Sequence, residues 1–353
     1  MVNEALFYEK KEDKYVTCTL CPRVCNIGPG RTGFCRTRKN IDGTLFALNY
    51  GRCSSIAMDP IEKKPFYHFY PGTNILSMGT IGCNLHCKFC QNWTIARADE
   101  GYHTEEISPR KAVDLVNQYR QKGRSCIGIA YTYSEPFTWF EFVLETAQTA
   151  SEQGIKNVLV TNGYINKEPL QQILPYIDAM NIDVKGFTDE YYRSVCSGKL
   201  GPVVRTVEEA FDKCHVELTT LLVPGLNDSL EDINGLVSWI AGLDREIPLH
   251  FSRYFPNYKM DQPATPIQTL QKAWELAKEK LDYVYVGNAP QLNAGNTYCP
   301  QCKFKIIERY AYTVRITGLN EKKCRRCGYP IRLVGDPEDD SGLVIPENNT
   351  GKD

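Results

Sequence analysis

The run Cys83-Asn-Leu-His-Cys87-Lys-Phe-Cys90 constrains this chain more than any other feature. Gly79-Thr-Ile-Gly82 precedes it and Gln91-Asn92-Trp93 follows. Three thiols fall close together on a loop that the glycines free to bend, and no fourth cysteine is nearby. A closed zinc site takes four protein ligands. A four-iron, four-sulfur cluster can be held by three cysteines, which leaves one iron open to a small chelating molecule. The competing readings are a three-ligand zinc site and three unrelated buried cysteines.

The chain has 353 residues, an apolar fraction of 42% and a net charge of -1. That length suits one large α/β domain with small appendages. The charge balance gives no general attraction to nucleic acid or membrane. The first residues, Met-Val-Asn-Glu-Ala-Leu-Phe-Tyr-Glu-Lys-Lys-Glu-Asp, carry charges where a signal peptide needs an apolar core, and no apolar run is long enough to span a bilayer. These features predict a cytoplasmic protein. In that reducing compartment the 15 cysteines suggest metal sites rather than disulfides. Besides the central three they form an N-terminal group, Cys18, Cys21, Cys25 and Cys35, and a C-terminal group, Cys299, Cys302, Cys324 and Cys327. Cys53, Cys126, Cys196 and Cys214 read as buried small apolar residues.

Between the outer groups short apolar runs alternate with helical stretches. The runs are Ile75–Gly79, Ile127–Ala130, Val158–Val160, Met180–Asp183, Val216–Val223, Leu249–Ser252 and Tyr283–Val286. Helices are expected from Ser108-Pro109 onward, with serine as cap and proline at the first position, and over 137–153, 229–241 and 265–280. This alternation implies parallel βαβ units and predicts an α/β fold, a partial (β/α)6 TIM-like barrel. The predicted division is a cysteine-rich segment over 1–74, the barrel over 75–296, a four-cysteine ribbon over 297–335 and a disordered acidic tail over 336–353.

Active sites of such barrels form at the C-terminal ends of the strands. Those ends carry the cysteine loop, Thr132-Tyr-Ser-Glu135, Thr161-Asn162-Gly163, Asp183-Val-Lys185, Arg253-Tyr254 and Gly287-Asn288. Phe89 would shield the central site or serve as a core aromatic. Glu135 offers a carboxylate, Asp183 and Lys185 point the same way from one strand end, and Asn162 and His250 are weaker candidates. The bland alternatives are a surface ion pair for Asp183–Lys185 and a hydrogen-bonded core histidine for His250. The C-terminal Cys-x2-Cys pairs resemble a zinc ribbon or rubredoxin-like module holding zinc or iron. Residues 299–332 hold nine Lys or Arg and two Glu, a net +7, read as a docking face or as a solvated surface. The N-terminal Cys-x2-Cys-x3-Cys-x9-Cys offers four ligands, for zinc or a second iron–sulfur cluster.

The Cys-x3-Cys-x2-Cys spacing, with Phe89 before the last cysteine, resembles the radical SAM superfamily. With Met58–Gly72, Tyr131-Thr-Tyr-Ser-Glu-Pro136 and Asn181-Ile-Asp-Val-Lys-Gly186, the chain looks like the radical SAM member of the AmmeMemoRadiSam system, similar to pyruvate formate-lyase activating enzymes. The resemblance implies a [4Fe-4S] cluster on Cys83, Cys87 and Cys90, with its open iron chelated by S-adenosylmethionine. It also implies reductive cleavage to a 5'-deoxyadenosyl radical. Phe89, Glu135, Asn162, Asp183, Lys185 and His250 are the cofactor-binding candidates it suggests. Tyr133 and Ser134 stand where many members have glycines. A flavodoxin- or ferredoxin-type electron donor is implied, with a protein substrate or Memo- and AMMECR-family partners. The expected activity is activase-like, installing a glycyl radical on a protein. The alternatives are radical modification of a small molecule with a Memo-like partner, and a non-enzymatic, metal-stabilised interaction module.

Overall fold

The computed structural model describes residues 3–123 and 125–338. Seven parallel strands build the main sheet, in chain order: β2 (Asn74–Gly79), β3 (Gly128–Tyr131), β4 (Lys156–Thr161), β5 (Ala179–Asp183), β6 (His215–Leu222), β7 (Leu249–Arg253) and β8 (Val284–Gly287). An eighth strand, β1 (Ser55–Pro60), pairs antiparallel with β2. Among the described residues, six helices of seven or more residues separate the parallel strands: α1 (Pro109–Gln121), α2 (Phe140–Ser151), α3 (Lys167–Ile173), α4 (Leu200–Phe211), α5 (Leu230–Leu243) and α6 (Ile267–Lys278). The sheet is open, ending in β1 on one side and β8 on the other.

Each apolar run read from the sequence lies within two residues of an observed strand. The central strands are covered on both faces, so they read as continuous apolar runs rather than alternating ones. Capping fixes the helix starts. Ser108 accepts a hydrogen bond from Lys111 N, with Pro109 at the first position of α1, and Ser229 accepts one from Asp232 N to start α5.

The residues before the main sheet form two small antiparallel sheets. One is Asn3–Glu4, Arg38–Ile41 and Thr44–Ala47; the other is Tyr8–Lys10, Val16–Cys18 and Cys25–Ile27. They share one hydrophobic core with the main sheet and its helices. A buried ion pair of 2.6 Å between Arg38 and Glu141 ties them to α2. Asn49 Nδ2 donates to Thr138 O, and Trp139 Nε1 donates to Asn49 O.

The C-terminal module is a sheet of Thr297–Tyr298, Lys305–Tyr310 and Thr313–Ile316 with a short hairpin, Leu319–Asn320 and Lys323–Cys324. It packs its own apolar cluster onto Tyr283 and Tyr285. Arg309 seats it. That buried guanidinium donates to Tyr67 O at 2.8 Å and Thr297 Oγ1 at 2.7 Å, lies 4.2 Å over the Tyr67 ring and faces the Glu62 carboxylate. Below it, Glu217 accepts from the amides of Tyr67 and His68 and from His215 and His250. The segment 58–72 therefore serves in part as the bracket between sheet and module. Of the expected disordered tail, 339–353 lie outside the described residues, while Glu338 N donates to Pro71 O at 2.8 Å.

Candidate active site at the cysteine loop

A cleft of about 460 Å³ opens at the C-terminal ends of the strands, lined by Cys83, Cys87 and Cys90 together with Phe89, Asn92, Glu135, Asn162, Asp183, Lys185 and Ser252. The loop that presents the cysteines leaves β2 through Gly79 and Gly82. An added Cβ on Gly79 would meet Thr132 O at 2.7 Å. At Gly82 φ is +88°, and a Cβ would lie 2.3 Å from Thr37 Cγ2 and 2.8 Å from Cys35 O. Gly82→Ala should therefore displace the loop and lower stability by about 1 kcal/mol or more, with reduced iron uptake. Thermal melts and iron content of the variant check this.

The loop is pinned from several sides. Arg97 donates to the carbonyls of Cys83 and Leu85. His86 N and Lys88 N donate to Cys196 O and Val195 O. Asn162 Nδ2 donates to Asn84 Oδ1 at 2.9 Å and reaches Cys83 Sγ at 3.6 Å. Leu85 N donates to the same sulfur at 3.4 Å. Burial raises the Cys83 thiol and pushes Cys90 up to about 11. A hydrogen bond with Cys196, then burial, raises Cys87 well above the ordinary thiol value. Protonated thiols are poor ligands, so an electropositive metal centre is what would convert this buried trio to thiolates. No other cysteine lines the cleft, so the trio fits a cluster with one iron left open, the observation that favours it over closed zinc.

Asp183 and Lys185 meet in the cleft at 2.9 Å. Burial works against the Lys185 ammonium, but Asp183, Cys87 and Cys196 outweigh it and hold the amine charged. The pair is thus half enclosed beside the sulfurs and is no exposed surface bridge. Glu135 is buried at the cleft wall. Its carboxylate accepts from Phe137 N, Thr161 Oγ1 and Asn162 N. Burial pushes it up to about 7, against those hydrogen bonds. Phe89 is buried, with the Lys185 ammonium 5.9 Å from its ring centre. Trp93 is largely exposed and stacks at 5.2 Å on Tyr258, which lines the cleft.

His250 does not line the cleft. Its Nε2 is 2.7 Å from Glu217, one pleat back along β7 from Ser252, which does line it. The sequence points to the correct strand and face but not the depth. Sequence reasoning did not single out Lys63 and Lys64, which line the cleft together with Tyr133. Asp59 gathers them, accepting at 2.8 Å from Lys63 and from the Tyr133 hydroxyl, and pairing with Lys64. The Asp59-x3-Lys-Lys spacing was the available signal. Cys196 was read as a plain core residue, yet it abuts Cys87.

The cysteines of the C-terminal module converge fully. Cys299 Sγ and Cys327 Sγ are 3.6 Å apart, and Cys302 Sγ and Cys324 Sγ 3.7 Å. A tetrahedral ion bound at about 2.3 Å spaces its sulfurs by about 3.8 Å, so this group fits a single metal ion. No helix among the described residues is long and apolar enough to cross a membrane.

Comparison with known proteins agrees with this geometry. Residues 78–240 match the model of the Radical SAM superfamily. The chain is 46% identical over 340 residues to "Uncharacterized protein MJ0808" of Methanocaldococcus jannaschii, covering 94% of this chain and all of that protein. It is 30% identical to the isethionate sulfite-lyase activating enzyme of Oleidesulfovibrio alaskensis, over 36% of this chain and 42% of that one. It is 28% identical to the pyruvate formate-lyase-activating enzyme of Clostridium pasteurianum, over 46% and 67%.

Proposed function

Because this chain belongs to the Radical SAM superfamily, we propose that it is an activase-like enzyme that abstracts hydrogen from a glycine of a partner protein. The observation that carries the reading is the three-cysteine cleft with the Asp183–Lys185 pair at its wall. Bound by Cys83, Cys87 and Cys90, a [4Fe-4S] cluster would supply the electron that cleaves S-adenosylmethionine to a 5'-deoxyadenosyl radical.

The chain's own residues hold and orient. Asn162 and the Leu85 amide steady the Cys83 sulfur, and Lys185 would offer its charge to the methionine carboxylate. Asp183 would face the ribose or amino group, and Glu135, which lines the same cleft, would offer a second acceptor. Phe89 would shield the sulfurs from water. Lys185→Ala should weaken S-adenosylmethionine binding about tenfold or more, since one hydrogen bond to a charged group contributes roughly 1.5–3 kcal/mol. Equilibrium binding to the reconstituted protein measures it.

We read the open parallel sheet as the partial barrel and the flanking parts as a cysteine-rich segment before it and a metal ribbon after it. A flavodoxin- or ferredoxin-type donor would reduce the protein in a reducing cytoplasm. A second reading, modification of a small molecule with a Memo-like partner, is favoured by the metal modules at both ends. The two separate by isotope. A partner protein deuterated at glycine should pass deuterium into 5'-deoxyadenosine and leave a stable protein radical in the EPR spectrum. Deuterium transfer from a small molecule alone would replace the activase reading with the second.

A further inference from the structure

The N-terminal cysteines offer a second, separate comparison within the same chain. Cys18, Cys21, Cys25 and Cys35 line one narrow pocket of about 20 Å³, against about 460 Å³ for the cleft. Among the described residues, the C-terminal quartet is the one set of His, Cys, Asp or Glu ligand atoms that all lie within 4.8 Å of one another. The N-terminal four face one pocket but stand wider than a single tetrahedral ion draws its sulfurs. The central trio stands wider in the same way. A cubane cluster explains wide spacing, because each thiolate ligates a different iron.

Two further observations give this site a role. Its wall is the cysteine loop itself: Asn84, adjacent to Cys83, lines the pocket and accepts from Asn162. Cys35 O lies 2.8 Å from where a Cβ on Gly82 would be, and Arg23, another lining residue, donates to Asn84 O at 3.0 Å. The stretch from Pro22 to Lys39 holds five Arg or Lys and no acidic residue, of which Arg38 is buried against Glu141 and Lys39 pairs with Glu100. Arg31, Arg36 and Val24 are exposed.

We propose that Cys18, Cys21, Cys25 and Cys35 hold a second [4Fe-4S] cluster, closed by four thiolates, that accepts an electron from an acidic one-electron carrier protein and passes it to the central site. One electron enters from the carrier and one leaves; no bond or proton is exchanged. The exposed Arg31 and Arg36 would steer such a carrier. The relay rests on the function proposed above; the cluster itself does not, and metal analysis tests it whether or not S-adenosylmethionine is cleaved.

The native chain, purified without oxygen, should hold about eight irons with as many labile sulfides, besides the one C-terminal ion. A Cys83→Ala/Cys87→Ala/Cys90→Ala variant should keep about four irons. Four irons with two zincs in the native chain, which needs no variant to fold, would overturn the proposal. For the relay, Cys21→Ser should slow reduction of the central cluster by a flavodoxin at least tenfold, read by EPR, while dithionite still reduces it. An unchanged rate with the flavodoxin would overturn the relay.

Discussion

A chain carrying Cys87→Ala is expected to release no measurable 5'-deoxyadenosine, a loss of at least about a thousandfold, while keeping its fold and its C-terminal metal. Losing one of three ligands removes a cluster, whereas substituting a residue that only orients the cofactor costs about tenfold to a thousandfold. Cys87 is the informative choice because it sits deepest of the three, buried against Cys196. Replacing the –SH group by hydrogen there leaves only a small void. The backbone bonds from His86 and Lys88 to the 195–196 segment do not depend on that sulfur. Circular dichroism and the metal content of the C-terminal cysteine quartet should match the native protein. If the variant still made 5'-deoxyadenosine, the trio would not be the reaction centre.

Glu217→Gln should give the largest loss of stability, about 3–5 kcal/mol at neutral pH, the scale for breaking a buried ion pair. The side chain is fully buried and accepts from two amides and two histidines. An amide in its place presents a donor to a ring of donors. The loss should depend on pH. Burial alone would raise the Glu217 carboxyl, but hydrogen bonds and charge from His215 and His250 outweigh it and hold it below the ordinary value of 4.5. A depressed carboxyl stabilises fully above its unfolded value and less as pH falls toward the folded one. The gap between native and variant should therefore be widest above pH 4.5 and shrink on acidification below it. Denaturant melts across pH measure this, and a gap independent of pH would mean Glu217 is not ionised in the fold.

Both predictions touch features the sequence shows unequally. The strands of the main sheet were legible because two-sided burial writes each as a short apolar run, as in β3 and β4. Ser55–Pro60 escaped because an edge strand keeps polar residues and ends in proline, so Ser-Ile-Ala-Met-Asp-Pro looks like loop. The cysteine trio, Asp183 and Lys185 were legible because local spacing places them together. The bracket of Glu62, His68, Glu217 and Arg309 was not. Its partners stand about 150 to 240 residues apart, and a charge reads as surface until the fold supplies its counterpart. His250 shows the same limit on a finer scale: period-2 alternation gives the face of β7 but not how far down the strand the cleft reaches.

The central claim is that the trio supports cleavage of S-adenosylmethionine by one electron, and its most direct measurement is chromatography of the products. The reconstituted native protein, reduced anaerobically with S-adenosylmethionine, should yield 5'-deoxyadenosine and methionine in equal amounts. A protein that carries its iron and sulfide in full, binds S-adenosylmethionine and yet forms neither product would contradict the account.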